Sequence, residues 1–421
     1  MTPRSHDRND RPGAPARQAS VLSDGRTTPD TALTALRPTR VEVDLDAIRH
    51  NVRHLAQRAG GAEVCAVVKA DGYGHGAVPV ARAAREAGAT WLAVALVEEG
   101  RQLREAGVDG RILVLSEPPV AAIGELLAAE LTPTVYREPF IAVLDAHGQG
   151  RGRAIDVHLK VDTGMGRVGA PEPDWRARIE QLATSPGVYV EGISTHLARA
   201  DEPGVDTTAT QLAAFDRALQ LAGRYGLRAP LVHAANTAGV LLHPGSHRDL
   251  VRPGIGVYGL SPSAEVDALD HGLQPALRLV SEVSFAKHVA TGTPISYGHR
   301  WRAPEEGWVA TVPIGYADGV PRRLTNRAQV LLGGKRCPMV GTVTMDQLHV
   351  WCGSQEPEVG DEVVLLGAAA RDARAAGAEG AEGAEVAAPV RPEEWAAAAD
   401  TITYEIATSL SARLPRVHLG A

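Results

Sequence analysis

Eight short apolar runs punctuate the chain, at residues 64–69, 91–97, 111–115, 131–136, 155–161, 190–196, 231–235 and 250–252. Between them lie stretches with helical character: His75–Ala87, Glu98–Ala106, Val120–Glu130, Glu138–Ala146, Pro173–Thr184, Asp206–Tyr225 and a short one after Asn236. A strand that runs parallel to its predecessor needs a long crossover, and a helix usually provides it. This alternation predicts βαβ units and a parallel sheet. Eight strands in this span fit a (β/α)8 barrel better than an open sheet. The ordered chain should begin just before, with a strand at Val41-Glu42-Val43-Asp44. A helix then carries Ile48, Val52 and Leu55 on one face, capped by Asp44 or Asp46.

After Leu273 the rhythm changes. Leu277–Val289, Gly307–Pro313, Ala328–Val340, Gln347–Trp351 and Glu362–Leu366 read as strands joined by glycine-rich turns. The expected fold class is α/β, an N-terminal (β/α)8 barrel over 38–273 followed by a mostly β domain over 274–421. Residues 1–37, rich in Arg, Pro, Ser and Thr without periodicity, read as a disordered tail. An Ala/Gly/Glu/Arg-rich segment at 368–390 reads as a low-complexity insertion. The final helix is expected from Pro392 to Leu414, with Trp395, Ala399, Ile402 and Ile406 on its apolar face.

Bulk properties exclude several classes. The 421 residues suit two domains, and a net charge of -7 without a basic stripe points away from nucleic acid and anionic membranes. Three cysteines, Cys65, Cys337 and Cys352, make neither a disulfide framework nor a zinc spacing, which suits a reducing cytoplasm. The N-terminus has arginines but no apolar core of a secretory signal, and no run is long enough to span a membrane.

The first barrel strand ends at Lys69, which opens onto Asp71-Gly72-Tyr73-Gly74. Burying an ammonium without a partner is costly. The chain has only four lysines, Lys69, Lys160, Lys287 and Lys335, among 43 basic residues. A lysine kept where arginine is the habit suggests a need for an amine that can lose its proton. The catalytic face of a barrel is built from the C-terminal ends of its strands. There the fifth strand offers Lys160 and Arg167, the sixth His196, the seventh Asn236 and Thr237, the eighth Arg252, Gly254, Ile255 and Gly256. Barrels often seat phosphate on the loops after strands seven and eight. The Thr237 hydroxyl and the amides at Gly254, Ile255 and Gly256 make such a seat, although Asn236 and Thr237 would equally cap a helix. An amine facing a phosphate seat suggests a covalent link to pyridoxal phosphate.

VVKADGYGHG, HLKVDTGMGRVG, STHLARADE, HAANTAG, VRPGIGVYGL, SYGHRW, VPIGYADG and GTVTMDQ, in this order, resemble the alanine racemases, a fold-type III pyridoxal phosphate family. The resemblance covers about residues 40 to 366 and resumes in the last helix. It implies racemisation of L- and D-alanine by a two-base mechanism, supplying D-alanine for cell-wall peptidoglycan. It implies Lys69 as the covalent anchor and the base on one face of the substrate. Tyr297, from the second subunit of a homodimer, would be the base on the other. Tyr73, Asn236, Thr237, Gly254 and Ile255 would hold the cofactor with Arg252, which faces its ring nitrogen. His196 would link the Tyr297 phenol to Arg252. Arg167 and Met345 would bind the substrate carboxylate, with Met345 also from the partner, and Lys160 is the lysine often carbamylated. The chain departs from the pattern at Thr342, where many relatives have Arg, and at Ala412, where some have Tyr; both bear on channel width. The alternatives are a related amino-acid racemase of broader specificity, a decarboxylase of the same fold type, disfavoured by Arg252, or a non-catalytic pyridoxal phosphate-binding protein, disfavoured by the second domain.

Overall fold

The structure is a computed structural model that describes residues 37–369 and 387–421. Most of the expected tail and the centre of the 368–390 insertion lie outside the described residues.

Eight parallel strands form the first sheet: β2 (Glu63–Val67), β3 (Trp91–Val94), β4 (Arg111–Val114), β5 (Thr132–Val135), β6 (Ile155–Lys160), β7 (Val188–Ser194), β8 (Leu231–His233) and β9 (Leu250–Val251). They pair in chain order and β9 returns to β2, with Glu63 opposite Leu250. Asp249 N–H to Val232 O at 3.0 Å and Arg252 N–H to Ala235 O at 2.9 Å link β9 to β8 and close the ring. Strands covered on both faces read as continuous apolar runs; β3 is buried at all four positions. The expected barrel is present.

The strand before the barrel behaves differently from its place in the sequence. β1 (Arg40–Asp44) pairs antiparallel with β10 (Leu277–Glu282), Val41 facing Leu279, in the second sheet. The barrel is already closed by β9 on β2, so β1 has no edge to join there. It satisfies its backbone on β10 and buries Val41 and Val43 completely. The helix α1 (Leu45–Arg58) follows, and Asp44 Oδ1 accepts from Asp46 N and Ala47 N as its cap. Arg37, expected in the tail, is tied down instead: its guanidinium donates to both oxygens of the fully buried Asp318.

Among the described residues the second sheet has nine strands. Besides β1 and β10 these are β11 (Phe285–Val289), β14 (Gly307–Val312), β15 (Gln329–Leu332), β16 (Lys335–Val340), β17 (Leu348–Gly353), β18 (Glu362–Leu366) and β19 (Arg416–Leu419); β12 (Pro294–Ile295) and β13 (Trp301–Arg302) form a separate pair. The single strands expected over 277–289 and 328–340 are each two. In the second case Gly333 and Gly334, at φ of 58° and 74°, make a two-residue hairpin turn that needs two positive φ angles.

The single final helix is also corrected. Helices Pro392–Ala399 and Thr403–Ser409 are separated by Asp400 at φ 58°, and the chain ends in β19. A left-handed residue stops a right-handed helix. The break turns Ile402, expected on the buried face, out to 58% exposure. It also aims the second helix at the barrel mouth. Arg416 Nε donates to Gly74 O at 3.1 Å, and His418 Nε2 to His75 O at 2.8 Å, pinning the turn after Lys69.

Candidate active site

Lys69 follows β2 at the start of an unusual turn. Ala70, Asp71, Gly72 and Tyr73 all have φ between 51° and 61°, a left-handed turn of four residues. Each non-glycine residue there costs about 1–2 kcal/mol, so the surroundings must hold it. Glu99 Oε1 accepts from Ala70 N at 2.7 Å, Asp71 Oδ1 from Ala77 N at 2.8 Å, and Gly76 N donates to Asp71 O at 2.8 Å. Strain of this kind concentrates where a side chain must be aimed. Here it holds the Lys69 amine and the Tyr73 ring on one cavity.

The cavity encloses about 770 Å³ at the C-terminal end of the barrel, within the usual range for a small-molecule site. Lys69, Lys160, Arg167 and Arg252 line it, against one carboxylate, Asp201. Among the described residues, the barrel's ion pairs are made by other cations such as Arg111 and Arg137, and none of these four has a carboxylate partner. The charge imbalance calls for an anionic ligand. Burial, then the Arg167 charge, lowers the Lys69 pKa. Burial, then Arg252 and Arg167, lowers that of Lys160 to about 7. Both amines therefore lose their protons more easily than free lysine does.

In the loops after β8 and β9, the latter paired with the β2 strand that leads to Lys69, the Thr237 hydroxyl accepts from Gly254 N and Gly256 N, each at 3.1 Å. These two amides are thus directed to Thr237. A Cβ on Gly254 would come inside 3.0 Å of the Tyr73 hydroxyl oxygen, so the glycine makes room for that phenol. Ile255 lines the cavity beside them. Asn236 also lines it, but its side chain caps the helix Thr237–Leu242 by accepting from Gly239 N at 2.9 Å. Asp162 Oδ1 accepts from Gly164, Met165 and Gly166 amides and so shapes the loop that carries Arg167.

Arg252 is buried and its pKa falls to about 10 through desolvation, so it stays protonated at neutral pH. Its guanidinium donates to His233 Nδ1 at 2.6 Å, Thr195 O at 2.7 Å and Ala234 O at 3.3 Å. The imidazole bonded to Arg252 is therefore that of His233, while His196 lines the cavity nearby. Burial and then the Arg252 charge hold His196 well below the ordinary histidine value. His233, at the end of the seventh barrel strand and first in the HAANTAG motif, had no role assigned to it from the sequence. Its partner His158 could have been found from alternation in β6, where Lys160 faces the same way two residues on. Tyr404 was missed too; it lines the cavity from the C-terminal helix, 6.1 Å from the Tyr73 ring.

Tyr297 and Met345 lie elsewhere. They line a separate surface depression with Tyr316 and Thr342, which shares no residue with the Lys69 cavity. Tyr297 is 74% exposed and Met345 53%. Thr342 Oγ1 donates to Tyr297 O at 2.7 Å and Ser296 Oγ to Thr342 O at 2.7 Å, so the two loops are clasped together. Ser296 itself sits at φ 63°.

Comparison with known proteins agrees with this arrangement. The model of the alanine racemase N-terminal domain matches residues 43–262, and that of the C-terminal domain residues 276–418. A curated alanine racemase of Symbiobacterium thermophilum is 46% identical over 389 residues, 92% of this chain and 99% of that one. One of Thermobifida fusca is 44% identical, over 90% of this chain and 97% of that one. The solved alanine racemase of Streptomyces coelicolor superposes with a TM-score of 0.84 at 40% identity, covering 93% of this chain and all (100%) of the other. The chain belongs to the alanine racemase family.

Proposed function

We propose that this protein interconverts L- and D-alanine with pyridoxal phosphate, as a homodimer whose two active sites are each built from both subunits. The observation that carries the reading is the Lys69 cavity, where four cations meet one carboxylate beside the Thr237–Gly254 loops. That donor set fits a phosphate-bearing aldehyde: an amine with a lowered pKa to bond it, the Tyr73 and Thr237 hydroxyls with the Ile255 amide to receive its phosphate, and a protonated guanidinium for its ring nitrogen. Bound pyridoxal phosphate supplies an electron sink for the charge left on Cα when the α-proton departs.

Inversion at a carbon requires one group to take the proton and another to return one from behind. Lys69 is suited to the first task, since desolvation favours its neutral form. Tyr297 is the group for the opposite face. It is exposed and shares no cavity with Lys69 of its own chain, which supports its reaching the partner subunit's site together with Met345. Arg167 and the Met345 amide would orient the substrate carboxylate. Tyr73, Thr237, Gly254 and Ile255 would seat the phosphate, with Asn236 holding the helix behind them. Arg252 remains charged and would face the ring nitrogen without giving up a proton to it, which would limit competing chemistry. His196, which lines the same cavity, would face the Tyr297 phenol. Lys160, whose pKa is lowered to about 7 by burial, is suited to add carbon dioxide; the carbamate would place a negative charge beside Arg167.

No helix among the described residues is long and apolar enough to cross a membrane. Together with the sparse cysteines this supports a cytoplasmic enzyme that supplies D-alanine for peptidoglycan. The test is an amino-acid panel with chiral chromatography. Alanine should be racemised fastest, and Lys69→Ala should abolish both racemisation and the visible absorbance of the bound cofactor. Full activity in that variant, or no turnover of any amino acid by the wild type, would overturn the reading.

A further inference from the structure

A chain of buried polar groups runs the length of the barrel, from the cavity at its C-terminal end to a second opening at its N-terminal end. Arg252 Nη1 meets His233 Nδ1 at 2.6 Å, and His233 Nε2 meets His158 Nδ1 at 2.8 Å. His158 Nε2 and Glu191 Oε2 are both buried without a hydrogen-bond partner and face each other at 3.7 Å. Glu191 Oε1 accepts from Arg111 Nη2 at 2.5 Å, and Arg111 lines the N-terminal opening.

The proton positions along this chain follow from its first member. A guanidinium has donors only. His233 Nδ1 must therefore accept, so a neutral His233 carries its hydrogen on Nε2. His158 Nδ1 must accept in turn, and its hydrogen lies on Nε2, aimed at the Glu191 carboxylate. A protonated imidazole at either position would set a donor against a donor. Burial, with the Arg252 charge, lowers the pKa of both histidines, for His158 against the opposing pull of Glu191, in agreement with neutral rings. The surrounding core is shaped for it. Trp91 packs its ring against His158 at 5.2 Å, and a Cβ on Gly192 would come inside 3.0 Å of His158 Nδ1. A buried, unpaired guanidinium is costly, and among the described residues no carboxylate touches Arg252. The chain ends on one.

We propose that Glu191 is the counter-charge of Arg252, acting through His233 and His158, and is thereby a positioning residue for the guanidinium that faces the cofactor. The role toward the cofactor rests on the function proposed above; the order of the chain does not. Two measurements test it. Ring 15N NMR of histidine-labelled protein, with and without cofactor, should find His233 and His158 neutral with hydrogen on Nε2 from pH 6 to 9. A cationic ring or an Nδ1–H tautomer at either would overturn the ordered chain. Glu191→Gln should shift the visible band of bound pyridoxal phosphate and raise its dissociation constant on the order of tenfold, as loss of an outer-shell partner does. Glu117→Gln removes another buried barrel carboxylate, one paired with Arg137 and off the chain, and should change neither. Equal behaviour of the two variants would overturn the counter-charge role. A wild-type protein that takes up no pyridoxal phosphate would instead refute the functional reading, and the tautomers still decide the chain.

Discussion

Gly254→Ala should damage cofactor binding through one contact. Gly254 sits at φ -107° and ψ -91°, outside the left-handed region that favours glycine, and the close contact is the added methyl's with Tyr73. The added methyl would lie inside 3.0 Å of Tyr73 Oη and 3.1 Å from Cζ. Tyr73 has little room to retreat, because its ring packs against Tyr258 at 4.9 Å and Tyr404 at 6.1 Å, and its backbone is held in the left-handed turn. Overpacking of this kind costs about 1–3 kcal/mol, which is about 5- to 150-fold in affinity if it falls on the bound state. The assay is titration of the protein with pyridoxal phosphate, followed by the change in absorbance. Tyr73→Phe removes the oxygen that meets the new methyl. In a double-mutant cycle the two changes should therefore be less than additive. Gly254→Ala with wild-type affinity, or a fully additive double variant, would refute the idea that Tyr73 and Gly254 form one seat.

Other consequences follow from the same geometry. Thr342→Val removes the hydrogen bond to Tyr297 O; kcat should fall about tenfold, the worth of a well-placed hydrogen bond, while Thr342→Ser retains it and cofactor affinity stays unchanged in both. Lys160 holds its proton less tightly folded than unfolded, so the unfolded state binds more protons between about 7 and 10.5. From about pH 7 to 9, before the buried thiols Cys65 and Cys352, pushed up to about 12, act in the opposite sense, the melting temperature of the protein in carbon-dioxide-free buffer should therefore rise with pH, and Lys160→Met should flatten the rise. A slope that is unchanged in Lys160→Met would show that the amine is not perturbed.

The barrel was legible because its strands are buried on both faces and its helices are amphipathic, so each leaves a periodic mark. The β1 exchange into the second sheet was not, because Val41-Glu42-Val43 carries no sign of which sheet will pair with it; that depends on the barrel closing through β9. Asp400 ended the last helix by adopting a left-handed conformation that an aspartate does not announce. At the site, Lys69, Lys160, Arg167, Thr237 and Arg252 could be named because strand ends are where a barrel keeps its chemistry. The left-handed turn that aims Lys69 was hidden, since Ala70 and Asp71 are not glycines and are held there by Glu99 and the C-terminal strand. His233 and His158 lie inside the barrel, where an isolated histidine in a sequence looks like any other core residue. Only the spacing of three ring and guanidinium nitrogens in space makes them a chain.

The central claim is that Lys69 and Tyr297 of different subunits serve one site. It is tested by mixing two inactive variants, Lys69→Ala and Tyr297→Phe, and allowing the subunits to exchange. Each mixed dimer would contain one site with both changes and one with neither. Random exchange puts half of the molecules in mixed dimers, so racemase activity should return to about one quarter of wild type. A mixture that stays as inactive as its parents, with mixed dimers demonstrably formed, would contradict the account.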